Sequence, residues 1–250
     1  MKQFYGHTKM KHFVAIILMI IIASTTAVAQ DNIKVKGMKN LPNYDAKTWH
    51  FGFTLGTSNM GFRVERADEF MLQHDIFGID AGKYTGFHIG PISNLRLNKY
   101  MDLRMLFELS FNQRDLIYYV IKENKKSETK DIEKRIMQIR STMLEFPVMI
   151  KYKAERITNF SPYLIAGGNF RYDLTGHKNS DDEEAVRLEN IDPCVTFGGG
   201  ADFYLPYFKF SIELRYSLGL LDVAKRDDRQ YTNCLKSLKS NTITLSFHFE

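Results

Sequence analysis

The sequence predicts an all-β fold: an eight-stranded antiparallel up-and-down transmembrane β-barrel with short periplasmic turns and long extracellular loops. Three observations lead to this prediction. Segments in which apolar and polar residues alternate recur eight times along the 250-residue chain. A leader typical of secreted proteins precedes them, and the connections between them alternate between short and long.

The leader occupies residues 1–29 and has the three parts of a signal peptide. A basic region and an apolar run over residues 13–22 are followed by the small-residue cleavage site Ala27-Val28-Ala29. The apolar run is about half of the roughly 20 residues that a spanning helix needs, although an uncleaved anchor is the alternative. We therefore expect export through the Sec pathway, a periplasmic lead-in over residues 30–48 and a barrel domain over residues 49–250.

The charge balance does not indicate a nucleic-acid partner. Three of the five net positive charges lie in the leader, which leaves +2 for the mature chain.

The chain has only two cysteines, Cys194 and Cys234, which is too few for a disulfide framework. Whether these two thiols pair stays open.

The eight segments each show the period-two alternation of a strand with one apolar and one polar face. They are His50–Met60, Gly86–Leu97, Met101–Tyr119, a segment ending over Leu144–Tyr152, Pro162–Leu174, Cys194–Tyr204, Phe208–Leu220 and Asn241–Phe249. Pro91 predicts a bulge or kink because proline cannot donate to a ladder. The apolar parity shifts at Met137 and Ile139, which predicts a register break near Met143.

The connections predict the orientation, because outer-membrane barrels have short periplasmic turns and long outward loops. The short links are residues 98–100, 154–161 and 205–207, and the long ones are about 61–85, 120–134, 175–193 and 221–240. Aromatic residues are expected to form girdles at the two membrane interfaces. Those near the short turns are Tyr100, Tyr152, Phe160, Tyr163, Tyr204 and Tyr207, and those near the other rim are Tyr118, Tyr119, Tyr172 and Tyr216.

The direction of the apolar face separates two classes of barrel. A soluble lipocalin-like barrel points this face inward around a ligand, whereas a membrane barrel points it outward to lipid. The loop asymmetry and the girdles favour contact with outer-membrane lipid. The last strand, which carries Phe247 and Phe249, is expected to be the signal read by the barrel-assembly machinery.

The polar face carries charged residues of both signs, and an eight-stranded barrel is just wide enough for side chains to fill it. We expect a structural network of paired charges rather than an ion path, since unpaired buried charge is costly. Its members are Arg104, Glu108, Glu145, Lys151, Arg171, Asp202, Glu213 and Arg215.

No motif for catalysis, cofactor binding or metal binding stands out, and no small-molecule substrate is expected. Gly198-Gly199-Gly200 lies in a strand and lacks the residues of a phosphate loop. The acidic run over residues 181–184 lacks the spacing of a calcium loop. His88, Glu108 and Ser246 share the polar face, and a hydrolase would need them to converge in space.

Four stretches resemble the PorT family of Bacteroidetes outer-membrane barrel proteins, in the same order along the chain. They are Asn40–Gly56, Leu95–Arg104, Leu144–Leu174 and Phe203–Leu220. The resemblance implies an accessory role in type IX secretion, which exports and attaches proteins bearing a C-terminal signal domain and is linked to gliding motility in relatives. It implies no enzyme activity and no cofactor, and it implies other secretion components as partners.

A filled barrel leaves no space for a cargo protein, so a secretion role must be exercised through contact surfaces. The candidate partner contacts combine the lead-in with one short turn: Asn40, Leu41, Pro42, Tyr44, Leu205, Pro206 and Tyr207. Alternative functions are an envelope-structural or adhesion barrel, a small-solute porin and a barrel enzyme that acts on lipid.

Overall fold

The computed structural model describes residues 39–67, 76–123, 130–175, 186, 188–225 and 234–250. Within these ranges the chain forms nine strands and a short 3-10 turn at Tyr44–Ala46. The strands are β1 (Trp49–Arg66), β2 (Ile76–Arg96), β3 (Met101–Leu106), β4 (Glu108–Glu123), β5 (Lys130–Lys153), β6 (Phe160–Asp173), β7 (Ile191–Tyr204), β8 (Lys209–Gly219) and β9 (Leu235–Phe249). The predicted signal peptide, residues 30–38 of the lead-in and the acidic run at 181–184 lie outside the described residues. In the described part of the chain, no helix is long and apolar enough to cross a membrane.

The strands close into a ring in which every neighbouring pair is antiparallel. β1 pairs with β2 on one side and with β9 on the other, and β5 to β8 each pair with the next strand along the chain. Because each described strand has a paired neighbour on both sides over the belt, lipid meets no open row of backbone donors and acceptors there. The predicted up-and-down barrel is confirmed.

β3 and β4 act as one strand that is interrupted at Phe107. Both pair with β2 and β5, and the register on β2 is the same on the two sides of the gap, with Ile92 opposite Leu106 and Ile89 opposite Leu109. Pro91 lies opposite the gap and has no N–H, so only one ladder bond remains, from the Phe107 N–H to the Pro91 carbonyl at 3.2 Å. The predicted irregularity at Pro91 is thus a missing hydrogen bond, and the ring has eight strand positions.

The predicted register break near Met143 is wrong. β4 and β5 pair without a shift from Glu108 opposite Glu145 to Glu123 opposite Lys130. Met137 and Ile139 lie on the same inward face as Met143 and pack against an apolar core at this end of the barrel. The apolar parity therefore changes because the interior changes from polar to apolar, while the strand itself continues.

Several predicted loop boundaries are wrong, because the strands run further into the predicted long loops; β1, for example, continues to Arg66. β2 starts at Ile76 and β9 at Leu235, while β4 ends at Glu123 and β5 starts at Lys130. In the extensions of β1 and β9 the inward face is apolar, with Phe62 and Leu238 packed in a core, which reverses the alternation seen nearer the short turns. The extension of β5 does not reverse it, because Ile132 and Ile136 are exposed. Strands β1, β2, β4 and β5 consequently form a tall wall, opposite the shorter β6, β7 and β8.

The outer face nearer the short turns is an apolar belt. Phe51, Leu164 and Leu214 are more than half exposed, and their neighbours on the same face are also apolar or aromatic. Of the predicted girdle residues, Tyr100, Tyr152, Phe160 and Tyr172 face outward, whereas Tyr118, Tyr163 and Tyr204 are buried inside. The latter three share the strand parity of the inward polar residues, so this part of the girdle prediction is wrong.

A hydrophobic core fills the barrel at the end with the long connections. Residues of β1, β2, β4 and β9 pack there against residues of the connections that fold into the mouth. Its buried members are Phe62, Ile76, Ile79, Leu116, Tyr118, Val186, Leu188, Val223, Ala224, Cys234, Leu235 and Leu238. A bridge between Leu188 and Ala224 and a hydrogen bond from the Glu189 N–H to the Val223 carbonyl at 2.9 Å join the two connections. This mouth is closed by apolar packing.

Candidate functional site: the charged interior and the short-turn mouth

The structure places all eight predicted interior charges inside the barrel, and their side chains are buried. Each lies on the inward parity of its strand, because successive residues of a strand point to opposite faces of the sheet. The sequence could place them on one face but could not show which opposite charges meet.

Two ion pairs cross the lumen. Arg104 on β3 pairs with Glu213 on β8, and Arg215 on β8 pairs with Glu108 on β4 at 2.8 Å. The β3–β4 position and β8 lie on opposite sides of the eight-position ring. These side chains therefore span the full width of the barrel and obstruct its axis.

A third pair closes the lumen nearer the short turns. The Lys151 ammonium lies 2.6 Å from Asp202, which also accepts a hydrogen bond from Ser211 at 2.7 Å. The same ammonium lies 3.8 Å from the centroid of the Tyr163 ring, and the Tyr163 hydroxyl donates to Glu213 at 2.9 Å. Each buried charge thus has an opposite charge and further polar contacts, as stability in a low-dielectric interior requires.

The fourth pair lies towards the long connections. Arg171 on β6 pairs with Glu145 on β5 at 3.1 Å. Glu145 also accepts hydrogen bonds from Ser110 at 2.6 Å and from Asn169 at 2.7 Å. This carboxylate of β5 is therefore held by side chains from both neighbouring strands, β4 and β6.

Glu250 is an interior residue that the sequence reasoning missed. Its carboxylate lies 2.8 Å from the Lys209 ammonium and 3.5 Å from Arg104. The signal was present, because Glu250 has the parity of His248 and Ser246 on the polar face of β9. Arg114 was also missed; it pairs with Asp173 at 3.6 Å and has the inward parity of Asn112.

His88, Ser246 and Glu108 do converge, but not in the geometry of a catalytic triad. The His88 Nε2 atom lies 3.1 Å from the Ser246 hydroxyl and 3.8 Å from Glu108. A triad needs the acid at Nδ1 while the nucleophile faces Nε2, whereas here both face the same nitrogen. All three side chains are buried and Arg215 also donates to Ser246, so we interpret the group as part of the packed interior.

The lead-in closes the short-turn mouth from inside. The Tyr44 hydroxyl donates to Glu250 at 3.0 Å, and its ring stacks on His50 with 3.9 Å between centroids. Burial, together with the neighbouring Glu250 carboxylate, raises the pKa of the Tyr44 phenol, so it stays a donor. Asn40 donates to the Tyr204 carbonyl at 2.9 Å and accepts, through its own carbonyl, from Arg156.

The remaining candidate partner contacts are divided between the lead-in and the turn. Leu41 adopts a positive φ of 47° and is half-buried, while Pro42 is exposed. In the turn between β7 and β8, Leu205 and Pro206 are exposed and Tyr207 is 92% exposed. Asn40 and Tyr44 therefore have partners within the chain, whereas Pro42 and the turn are accessible.

Phe247 and Phe249 face outward at the seam where β9 meets its neighbours. Phe249 stacks on Phe53 of β1 with 4.8 Å between centroids, and Phe247 stacks on Phe210 of β8 at 6.2 Å.

The sequence left open whether the two cysteines pair. In the structure Cys194 and Cys234 are buried and form no disulfide.

The sequence over residues 28–225 matches the family described as the outer membrane protein beta-barrel domain. This match covers most of the chain and agrees with the closed ring and its apolar belt. The chain belongs to the outer membrane protein beta-barrel domain family. As a member of this family it resides in the outer membrane, so the short turns are periplasmic and the long connections extracellular.

Solved outer-membrane barrels resemble this family member only distantly. Neisserial surface protein A is 14% identical and covers 81% of this chain and 98% of its own, with a TM-score of 0.40. OprG of Pseudomonas aeruginosa is 13% identical and covers 85% and 95%, with a TM-score of 0.41. Ail, the attachment invasion locus protein of Yersinia pestis, is 12% identical and covers 81% and 98%, with a TM-score of 0.34. No curated protein sequence matches the chain.

Proposed function

We propose that this barrel is an accessory component of type IX secretion that acts by contact with other secretion proteins and not as their conduit. The observation that carries the proposal is the pair of ion pairs across the lumen, Arg104 with Glu213 and Arg215 with Glu108. A lumen obstructed at its middle has no space for a polypeptide. The secretion assignment itself rests on the resemblance of the four stretches to the PorT family, and among its members to PorT (SprT in gliding relatives).

The accessible surfaces fit a contact role. Tyr207 projects from a periplasmic turn and is almost fully exposed, and aromatic side chains are enriched in protein interfaces. We infer that periplasmic secretion components dock on this turn and on the lead-in beside Pro42. Barrel-assembly machinery and outer-membrane lipid complete the proposed set of partners.

The test is deletion of the gene followed by proteomics of the culture medium and the cell surface. We expect loss of exported proteins that bear the C-terminal signal domain, and restoration by the wild-type gene. A strain complemented with Tyr207→Ala should secrete less of them, while Leu221→Ala, an exposed residue at the extracellular end, should behave as wild type. An unchanged set of exported proteins in the deletion strain would refute the proposal.

An envelope-structural or adhesion role is the second candidate, favoured by the tall extracellular wall of β1, β2, β4 and β5. Co-purification separates the two roles, since only a secretion component should be recovered with other secretion proteins. A porin should show stepwise conductance in planar bilayers, whereas the filled lumen predicts none. Lipid A mass spectrometry of the deletion strain would reveal an enzyme that acts on lipid.

A further inference from the structure

A cavity of about 550 Å³ opens at the periplasmic mouth, between the lead-in and the ends of the strands. Its volume is within the range of sites that bind small ligands or a few residues of a peptide. Five basic side chains and only two carboxylates line it: Lys39, Arg96, Lys99, Lys153 and Arg156 against Asp45 and Glu155. The cavity is therefore positively charged in a barrel whose deeper charges are paired.

Asp45 of the lead-in lies among three of these cations without bonding closely to any of them. Its carboxylate oxygens are 3.9 Å from Arg96, 3.9 Å from Lys153 and 4.0 Å from Arg156. These distances are too long for hydrogen bonds. One carboxylate thus faces three cations, and it occupies the position where an acidic group from elsewhere would bind.

The cations are held in place by contacts that leave them directed at this position. The Arg156 Nε donates to the Thr158 carbonyl at 2.7 Å, and the guanidinium lies 3.7 Å from the centroid of the Tyr204 ring. The Lys153 ammonium is fixed by Asp102 at 3.1 Å. A preorganised guanidinium loses little further freedom on binding a carboxylate.

The position of the cavity favours a peptide over a lipid headgroup. It is lined by inward residues such as Ser161 and Tyr204, both buried, and it opens on the barrel axis. Lipid contacts the opposite, outer face of the same strands. The group that occupies the site in this structure is also a carboxylate of the polypeptide, carried by the 3-10 turn of the lead-in.

We propose that this cavity binds an acidic side chain of a peptide segment from a periplasmic partner, and that Asp45 is an intramolecular competitor for the same cations. Binding would displace Asp45 and so couple partner capture to movement of the lead-in. The identity of the partner as a secretion component rests on the proposed function, but the binding site does not.

The test uses the full mature chain in nanodiscs of zwitterionic lipid. The probe is a rhodamine-labelled peptide of alternating glycine and aspartate, and binding is measured by fluorescence anisotropy. Asp45→Asn should bind the peptide about two- to fivefold more tightly, the range expected for one exposed ion pair. Lys153→Gln and Arg156→Gln should each bind it about two- to fivefold more weakly for the same reason.

The matched control is Arg63→Gln, which removes an equal charge from an exposed outward position at the extracellular end of β1, and it should leave affinity unchanged. Heat-modifiable migration in gel electrophoresis verifies that each variant is folded. Unchanged affinity in Asp45→Asn, or equal binding of a glycine–asparagine peptide, would overturn the proposal. So would loss of peptide binding in nanodiscs that contain phosphatidylglycerol, since the site would then prefer a lipid phosphate.

The result of the peptide-binding test can be distinguished from the result of the secretion test. If the peptide binds as expected but the deletion strain exports its proteins normally, the site stands and the secretion role fails. If export is lost in the deletion strain but the peptide does not bind, the secretion role stands and the site fails.

Discussion

Glu213 gives the sharpest test of the charged interior. Its carboxylate is fully buried and meets Arg104, the Tyr163 hydroxyl at 2.9 Å, His248 at 3.3 Å and Arg215 at 3.6 Å. Glu213→Gln keeps the shape but removes the charge. Arg104 then retains one acidic neighbour, Glu250 at 3.5 Å. Breaking one partner of a buried pair costs about 3–5 kcal/mol, a large share of the roughly 5–15 kcal/mol by which domains are stable.

The matched control is Glu155→Gln in the periplasmic turn. Glu155 pairs with Lys99, but both side chains are more than 60% exposed. An exposed pair contributes less than about 1 kcal/mol. The same chemical change should therefore have a small effect on stability at this position.

The assay is urea unfolding of the barrel refolded into lipid vesicles. Trp49 is the only tryptophan of the chain and faces outward at the periplasmic edge of the belt, so its fluorescence reports insertion. The double variant Arg104→Gln with Glu213→Gln should lose less stability than the two single losses combined, because no unpaired charge remains. If Glu213→Gln is no more destabilising than Glu155→Gln, the reasoning about the paired interior is wrong.

Three further predictions follow from neighbouring residues with different surroundings. Gly167→Ala should destabilise the barrel, because the added Cβ would collide with the Val148 carbonyl and lie 2.6 Å from the Met149 Cα. Gly168→Ala should have little effect, because its added Cβ has one neighbour at 3.8 Å. Equal urea midpoints for the two variants would contradict this prediction. Leu188→Ala should release the connections from the extracellular mouth and speed their cleavage by protease on whole cells, unlike exposed Leu221→Ala. Burial raises the pKa of the Cys234 thiol to about 11, so in a Cys194→Ser background maleimide labelling should be slow at neutral pH and accelerate as pH approaches that value. Rapid labelling at pH 7 would count against the buried position.

The sequence was informative wherever one face of a strand meets lipid. Phe51, Phe53 and Leu55 must face outward together, because side chains alternate with a period of two. Their partners of opposite parity must then face the lumen, which is why the eight interior charges were placed correctly on one face. The short turns were also readable, since each one is a brief break in the alternation between two segments.

The sequence was misleading where the surroundings of the strands change. Beyond the belt, in β1, in β9 and at Met137 and Ile139 of β5, the apolar residues face the interior and the polar ones face outward. The alternation therefore continues there, but the apolar parity marks the interior instead of the lipid face. At Met137 and Ile139 this reversal looks like a register break, and at Leu235–Ser240 it looks like a loop. The period of the alternation alone cannot distinguish a strand inside the belt from a strand beyond it, because the period does not say which face meets lipid and which meets the interior.

By itself, then, the amino-acid order determined the barrel, the lipid-facing residues and the set of inward charges, because these depend on local alternation. Only the closed ring decided that Arg104 meets Glu213 and that Arg215 meets Glu108, since the pairs come from opposite walls. The same is true of the plug formed by Tyr44 and of the apolar cap formed with Leu188 and Val223. Contacts between segments far apart in the chain arise from the three-dimensional closure of the sheet, and no local pattern encodes them.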